Sequence, residues 1–282
     1  MPELPEVEVL RRHLAPALRG RSIAAVKIVR AKVIAPSSAG AMVRGLKGAT
    51  ITDLTRRGKF LLFKLEKGGR ERRLLGHLGM TGRMFVQQKE APLPPHTAVH
   101  LELDEHRFVY QDTRYFGRFT LDLAVLDRLG PEPLSDDFAP QTFRTALSQS
   151  KQAIKVKLLD QSLVAGIGNI YASEALHRAG VSPRKAARRL TGKEVDRLFT
   201  EIRRVLSEAI ECGSTIPLDF AGAGKRDGLF YYGSPVGAED FYEERLLVYD
   251  REAQPCKACS TPIRRIVQAA RSTFFCPACQ RA

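Results

Sequence analysis

Four cysteines near the C-terminus stand in the pattern Cys256-x2-Cys259-x16-Cys276-x2-Cys279. Two close thiolate pairs, each on a tight turn, can meet to complete a tetrahedral shell around zinc. The sixteen residues between the pairs suffice for a β-hairpin, and Pro262-Ile263 and Thr273-Phe274-Phe275 have strand character. Four thiolates leave no open position for water, so the spacing predicts one structural Zn2+ rather than a catalytic metal. A redox dithiol pair is the competing reading. Arg264, Arg265 and Arg271 lie between the ligand pairs. There a hairpin either carries them into a nucleic-acid groove or leaves them solvated.

The amino terminus offers a second chemistry. A small residue at position 2, here Pro2, normally allows removal of Met1 and leaves a free secondary α-amine. Such an amine, with a pKa near about 8, is partly unprotonated and nucleophilic at neutral pH. Its attack on an aldehyde-level sugar carbon gives a charged iminium. That electron sink acidifies the neighbouring sugar proton enough for β-elimination of a 3′ phosphate. Glu3 beside it can protonate the opening sugar or relay protons. On its own Met-Pro-Glu is a weak signal, because many chains carry a small residue after methionine.

These groups need a scaffold. Val7, Leu10 and Leu14 share one helical face, and Pro16 and Gly20 predict its end. Alternating runs follow: Val26 and Ile28, then Val99, Leu101 and Leu103, turning at Asp104-Glu105 and returning through Phe108 and Tyr110. Strands with little helix between them predict a β-sandwich to about residue 130. Gly130-Pro131-Glu132-Pro133 opens a stretch, 131–148, that reads as a linker. Beyond it the period is helical. Helices are expected around 153–160 and 170–178, either side of a glycine-bearing turn at 164–169. A longer one starts at Thr191, with Glu194 completing a capping box, and carries the stripe Val195, Leu198, Ile202, Val205 and Ala209 towards Gly213. Cys212 reads as a buried helix residue. Residues 221–245 interleave glycines with aromatics and read as a long loop. The fold class is therefore α+β, in four segments: a β-sandwich (1–130), a linker (131–148), a helical domain with the loop (149–245), and a zinc hairpin (246–282).

The chain has 282 residues and a formal net charge of +14. That excess of Lys and Arg points to a polyanionic partner, most simply nucleic acid. A membrane surface competes, but no basic amphipathic segment and no run approaching eighteen apolar residues is present. Cysteine usage fits a reducing compartment, and Met1–Glu6 lacks the pattern of a signal peptide, so an intracellular, monomeric protein is expected.

Taken together, the motifs resemble the formamidopyrimidine-DNA glycosylase family. They are Met1-Pro2-Glu3-Leu4-Pro5-Glu6-Val7-Glu8, Arg56-Arg57-Gly58-Lys59-Phe60-Leu61, His77-Leu78-Gly79-Met80-Thr81-Gly82, Asp112-Thr113-Arg114-Tyr115-Phe116-Gly117, Leu129-Gly130-Pro131-Glu132-Pro133-Leu134-Ser135 and Gly166-Ile167-Gly168-Asn169-Ile170-Tyr171-Ala172-Ser173-Glu174, then the cysteine hairpin with Arg271. They run in order along nearly the whole chain. The resemblance implies a base-excision DNA glycosylase with an attached strand-cutting (lyase) activity, acting on double-stranded DNA with an oxidised purine or an abasic site.

It also implies roles. Pro2 is the nucleophile and Glu3 assists base loss; Lys59 serves β-elimination, and Arg271 binds phosphate and serves the δ-elimination. Asn169 grips phosphate from a helix–two-turn–helix motif, with His77, His96, Lys151 and Lys155 as further DNA contacts. For the histidines a purely structural role is the alternative. Met80, Arg114 and Phe116 fill the gap left by an extruded nucleotide, although from composition alone Met80 and Phe116 read as core. Glu174 bears on damaged-base recognition or only on helix packing. Thr113 stands where the family commonly has proline, and 221–245, the region of the lesion-capping loop, is longer than expected. The remaining alternatives are a preference for oxidised pyrimidines, as in the endonuclease VIII branch, and a silent lesion-binding zinc protein.

Overall fold

The first apolar stripe forms a helix, α1, over Leu4–Leu18, with Val7, Leu10, Leu14 and Leu18 buried. It ends between Pro16 and Gly20, as the sequence predicted, with Leu18 fully buried and Arg19 N–H still bonded to the Ala15 carbonyl. Gly20, at φ 80°, then turns the chain. Seen in a computed structural model that describes residues 2–213 and 246–281, the chain forms two units, 2–127 and 128–213 with 246–281. The predicted loop at 221–245 lies outside the described residues.

In the first unit β1 (Ile23–Ile28), α2 (Ala39–Leu46), β2 (Thr50–Arg57), β3 (Phe60–Lys67), β4 (Arg70–His77), β5 (Gly82–Gln88), β6 (Thr97–Leu103), β7 (His106–Asp112) and β8 (Arg118–Thr120) follow α1. They build two four-stranded antiparallel sheets, ordered β1-β6-β7-β5 and β2-β3-β4-β8. Period-two patterning sets their inner faces. Leu61, Phe63 and Leu65 of β3 share one core with Met84, Leu101 and Phe108 of the other sheet. There Phe63 meets Phe108 and Phe119 edge-on, with centroids 5.5 and 5.6 Å apart. The expected hairpin is present: Leu103 pairs with His106 across Asp104-Glu105.

The second unit holds α3 (Pro140–Ser148), α4 (Ile154–Leu158), α5 (Asn169–Arg178), α6 (Gly192–Glu211), β9 (Arg264–Gln268) and β10 (Arg271–Phe275). The linker reading of 131–148 is corrected. Gly130 N–H bonds to the Gln161 carbonyl and Ala165 N–H to that of Pro131, docking the proline-rich strand on the turn between α4 and α5. The second half of the stretch is α3, whose Phe143 is buried in a cluster with Phe138 and Phe199 of α6. α6 has the predicted Thr191–Glu194 capping box, and its whole apolar stripe is buried. Cys212 is the C-cap of α6 and only half-buried, one residue beyond the helix, with Gly213 at φ 80° after it.

Candidate active site and nucleic-acid interface

Pro2 and Glu3 precede α1 directly. Glu6 accepts a hydrogen bond from the Glu3 backbone N–H at 2.7 Å, fixing the helix start, and the Glu3 side chain is buried while Pro2 stays half-exposed. α1 lies against β2 and β3. Glu8 on α1 takes Arg56 of β2 at 3.2 Å, and Arg56 reaches the Gly58 carbonyl at 2.9 Å, so the β2–β3 turn that carries Lys59 is tied to the helix that carries the N-terminus. Lys59 is buried to 8% exposure. Across the sheet, the His77 ring packs on Phe60 at 4.7 Å between centroids. Burial first, then the Lys59 and Arg118 cations, hold the His77 imidazole down at about 4. Its Nδ1 accepts from Gly79 N–H at 3.1 Å, which leaves the single proton of the neutral ring on Nε2 as a donor.

Met80 and Phe116 are not core. They are 45% and 48% exposed, on two loops that touch. Arg114 joins them: its guanidinium carbon sits 4.6 Å over the Phe116 ring, and Nη1 lies 3.5 Å from Met80 Sδ. Asp112, fully buried, braces both loops. Its Oδ1 accepts from Thr81 Oγ1 at 2.6 Å and Arg114 N–H at 3.1 Å, and its Oδ2 from Gly117 N–H at 2.9 Å. The loops approach so closely that a Cβ on Gly79, already at φ 62°, would meet the Gly117 nitrogen at 2.6 Å. His96 is exposed, at φ 61°, with its carbonyl accepting from Asp112 N–H at 3.1 Å. Thr113, in the proline position, is exposed and disturbs none of these bonds.

In the second unit the turn before α5 is held by the Gln161 side chain, which bonds to the Ile167 carbonyl at 2.8 Å and to Gly166 N–H at 2.9 Å. This presents Asn169 at the start of α5. Lys155 Nζ donates to Asn169 Oδ1 at 2.7 Å, and Asn169 Nδ2 donates to the Ser272 carbonyl of β10 at 2.9 Å. Lys155 has no exposed surface, so its expected direct DNA contact is corrected: it orients the Asn169 amide instead. Lys151 is exposed and lines a surface cavity of about 630 Å³ with Ser150, Lys157 and Ser162. Arg271 is exposed at the start of β10. Glu174, fully buried, accepts from the backbone N–H groups of Leu247, Val248 and Tyr249 at 2.8, 3.0 and 2.8 Å. Burial pushes its carboxyl up, and those three donors oppose the rise. It fastens the chain at 247–249 to α5.

The four cysteine sulfurs lie within 4.8 Å of one another. Zn–S bonds of about 2.3 Å in a tetrahedron put sulfurs about 3.8 Å apart. The separations of 3.9 Å (Cys256–Cys279), 3.4 Å (Cys259–Cys276) and 3.4 Å (Cys259–Cys279) fit that shell and are far too long for disulfides.

Comparison with known proteins decides the family. The models described as "Formamidopyrimidine-DNA glycosylase N-terminal domain", "Formamidopyrimidine-DNA glycosylase H2TH domain" and "Zinc finger found in FPG and IleRS" match residues 1–119, 129–219 and 253–282. The chain belongs to the formamidopyrimidine-DNA glycosylase family. The formamidopyrimidine-DNA glycosylase of Symbiobacterium thermophilum is 43% identical over 99% of this chain and 89% of its own length. That of Thermus thermophilus is 42% identical over 99% and 98%. Among solved structures, Lactococcus lactis Fpg in complex with DNA containing an abasic site superposes with a TM-score of 0.87 at 31% identity, covering 99% of this chain and 100% of that one. MutM in complex with DNA containing carbocyclic 8-oxo-G gives 0.87 at 31%, covering both chains completely. With the family's zinc finger and a fitting sulfur shell, the cysteines form a site for one structural zinc.

Sequence reasoning had no role for Asp112, Gln161 or Lys32, whose ammonium lies 5.4 Å over the Phe116 ring. Asp112 stood inside a quoted motif, so its place was visible. That it braces two loops was not, because Thr81 comes to it only through the pairing of β5 with β7.

Proposed function

We propose that the chain is a bifunctional DNA glycosylase and abasic-site lyase that removes oxidised purines, 8-oxoguanine and formamidopyrimidines, from double-stranded DNA. Its sandwich half (1–130) carries the nucleophile, and its helical half (149–245) and zinc hairpin (246–282) hold DNA. The Met80–Arg114–Phe116 cluster carries the proposal. Two large apolar side chains, nearly half exposed and bridged by a guanidinium, have no packing reason to be there. They suit an enzyme that extrudes a nucleotide and must fill the gap, offsetting a few kcal/mol of lost stacking and pairing.

In this reading the Pro2 amine, freed by loss of Met1, attacks C1′ of the extruded nucleotide. The C1′–N bond to the base breaks, and the base leaves with a proton, while Glu3 protonates the opening sugar. The resulting iminium acidifies C2′–H. Loss of that proton expels the 3′ phosphate with Lys59 beside it, and a second elimination expels the 5′ phosphate with Arg271 beside it. Hydrolysis of the iminium frees Pro2 and leaves a one-nucleotide gap with phosphate at both ends. His77 meets phosphate as a neutral N–H donor, Asn169 through its remaining amide N–H, and Arg114, His96 and Lys151 as exposed donors. The zinc contributes the shape of the hairpin that presents Arg271.

Borohydride trapping on a duplex with one 8-oxoguanine opposite cytosine tests this, using protein shown by intact mass to lack Met1. A covalent adduct that Pro2→Gly greatly weakens is expected. No adduct, on this duplex or on an abasic site, would leave only a DNA-binding role. Faster trapping on an oxidised pyrimidine would move the substrate class.

A further inference from the structure

His177 takes no part in the chemistry above. It sits in the last turn of α5, 7% exposed, with Nε2 at 3.6 Å from Cys256 Sγ. Its other ring nitrogen, Nδ1, is buried without a hydrogen-bond partner among the described residues. A neutral imidazole has one N–H and one bare lone pair. An orphaned buried N–H is rarer, and more costly, than an under-used acceptor, so the proton belongs on Nε2, facing the sulfur. As a thiol Cys256 would accept weakly. As a zinc-bound thiolate it carries negative charge and accepts well.

The surroundings make the contact specific. Cys256 is buried at 2% exposure, whereas Cys259, its partner in the first pair, is exposed. α5 also holds this module at two further points, through Asn169 to the Ser272 carbonyl and through Glu174 to the N–H groups of 247–249. His177 thus approaches the metal shell from a helix that Asn169 and Glu174, both N-terminal to it, fasten to the module.

We infer that His177 is an outer-sphere partner of the zinc, its Nε2–H donating to the Cys256 thiolate and keeping the metal in place. A thiolate that accepts such a bond is less readily protonated or oxidised, and both are routes by which zinc leaves. Ring and donor are separable. His177→Phe keeps an aromatic ring in the same space and deletes the N–H; His177→Gln places an amide N–H near the position of Nε2.

The experiment is transfer of zinc from the full-length, zinc-loaded protein to a chromophoric chelator. His177→Phe is expected to release zinc about tenfold faster or more, and His177→Gln to recover most of the difference. Release from His177→Phe at the wild-type rate would overturn the inference, as would equal acceleration in both variants. A measurement on the wild type needs no substitution: 15N NMR of the ring nitrogens in the zinc-loaded protein. The Nε2–H tautomer is expected, and the Nδ1–H tautomer would overturn the assignment.

Discussion

At the scale of single residues, the side chains that carry chemistry are set by neighbours that do none. His77 is the clearest case. Burial and two nearby cations keep its pKa at about 4, below the ordinary 6.5. Between those values the unfolded chain binds a proton that the folded one does not, so stability falls as pH drops from 6.5 towards 4 and is unaffected by His77 above that window. The slope from this one group is at most about 1.4 kcal/mol per pH unit. Urea denaturation from pH 7 to 4 should show it, and His77→Gln, whose side-chain oxygen can still accept from Gly79 N–H, should flatten it. A slope unchanged by the substitution would mean that the ring is already charged in the folded protein. Lys155 makes the same point differently: its cation faces an amide rather than solvent, and what it governs is the orientation of Asn169.

At the scale of elements, loops and turns decide how the site is presented. Asp112 accepts from Thr81, Arg114, Gly117 and the Tyr110 hydroxyl, and removing it takes away the acceptor these donors share under the wedge loops. Asp112→Ala is expected to cost about 2–4 kcal/mol in chemical denaturation. Base excision should fall at least tenfold, and cleavage at a preformed abasic site by less, because no base has to leave the stack there. Equal losses on the two substrates would show that Asp112 serves the chemistry rather than the wedge. The zinc hairpin offers a converse case. Its β9–β10 turn places Ala269 and Ala270 at φ 48° and 58°, a left-handed pair that favours Asn-Gly. Replacing Ala269-Ala270 by Asn-Gly should stabilise the hairpin by about 1 kcal/mol, read as slower zinc loss on mild heating. Elements were unevenly legible. α6 announced itself through cap and stripe, whereas β4 opens with Arg70-Glu71-Arg72-Arg73, all exposed, and is a strand only because β3 pairs with it.

At the scale of the whole molecule the net charge of +14 is the dominant fact. Binding to duplex DNA is expected to weaken steeply with salt, the affinity falling linearly on a log–log plot. Arg271→Gln should lower that slope by about one unit without changing which lesion is preferred, as measured by fluorescence anisotropy at several salt concentrations. A slope identical to wild type would take Arg271 off the phosphate.

The sequence by itself determined the chemistry available: a proline amine at position 2, four thiolates at zinc spacing, a large positive charge, and motifs that identify the family. It determined α1, the β6–β7 hairpin and α6 as well, because in these the apolar period and the caps agree locally. What only the tertiary structure decided is which polar groups meet. Nothing in the spacing of Asp112 and Thr81, or of Glu174 and residues 247–249, marks them as partners. The same holds for Lys155, whose charge reads as a surface contact until packing encloses it. Such contacts arise when strands and helices distant in sequence are pressed together, and each buried polar group must then find a partner or lose the free energy of its hydration.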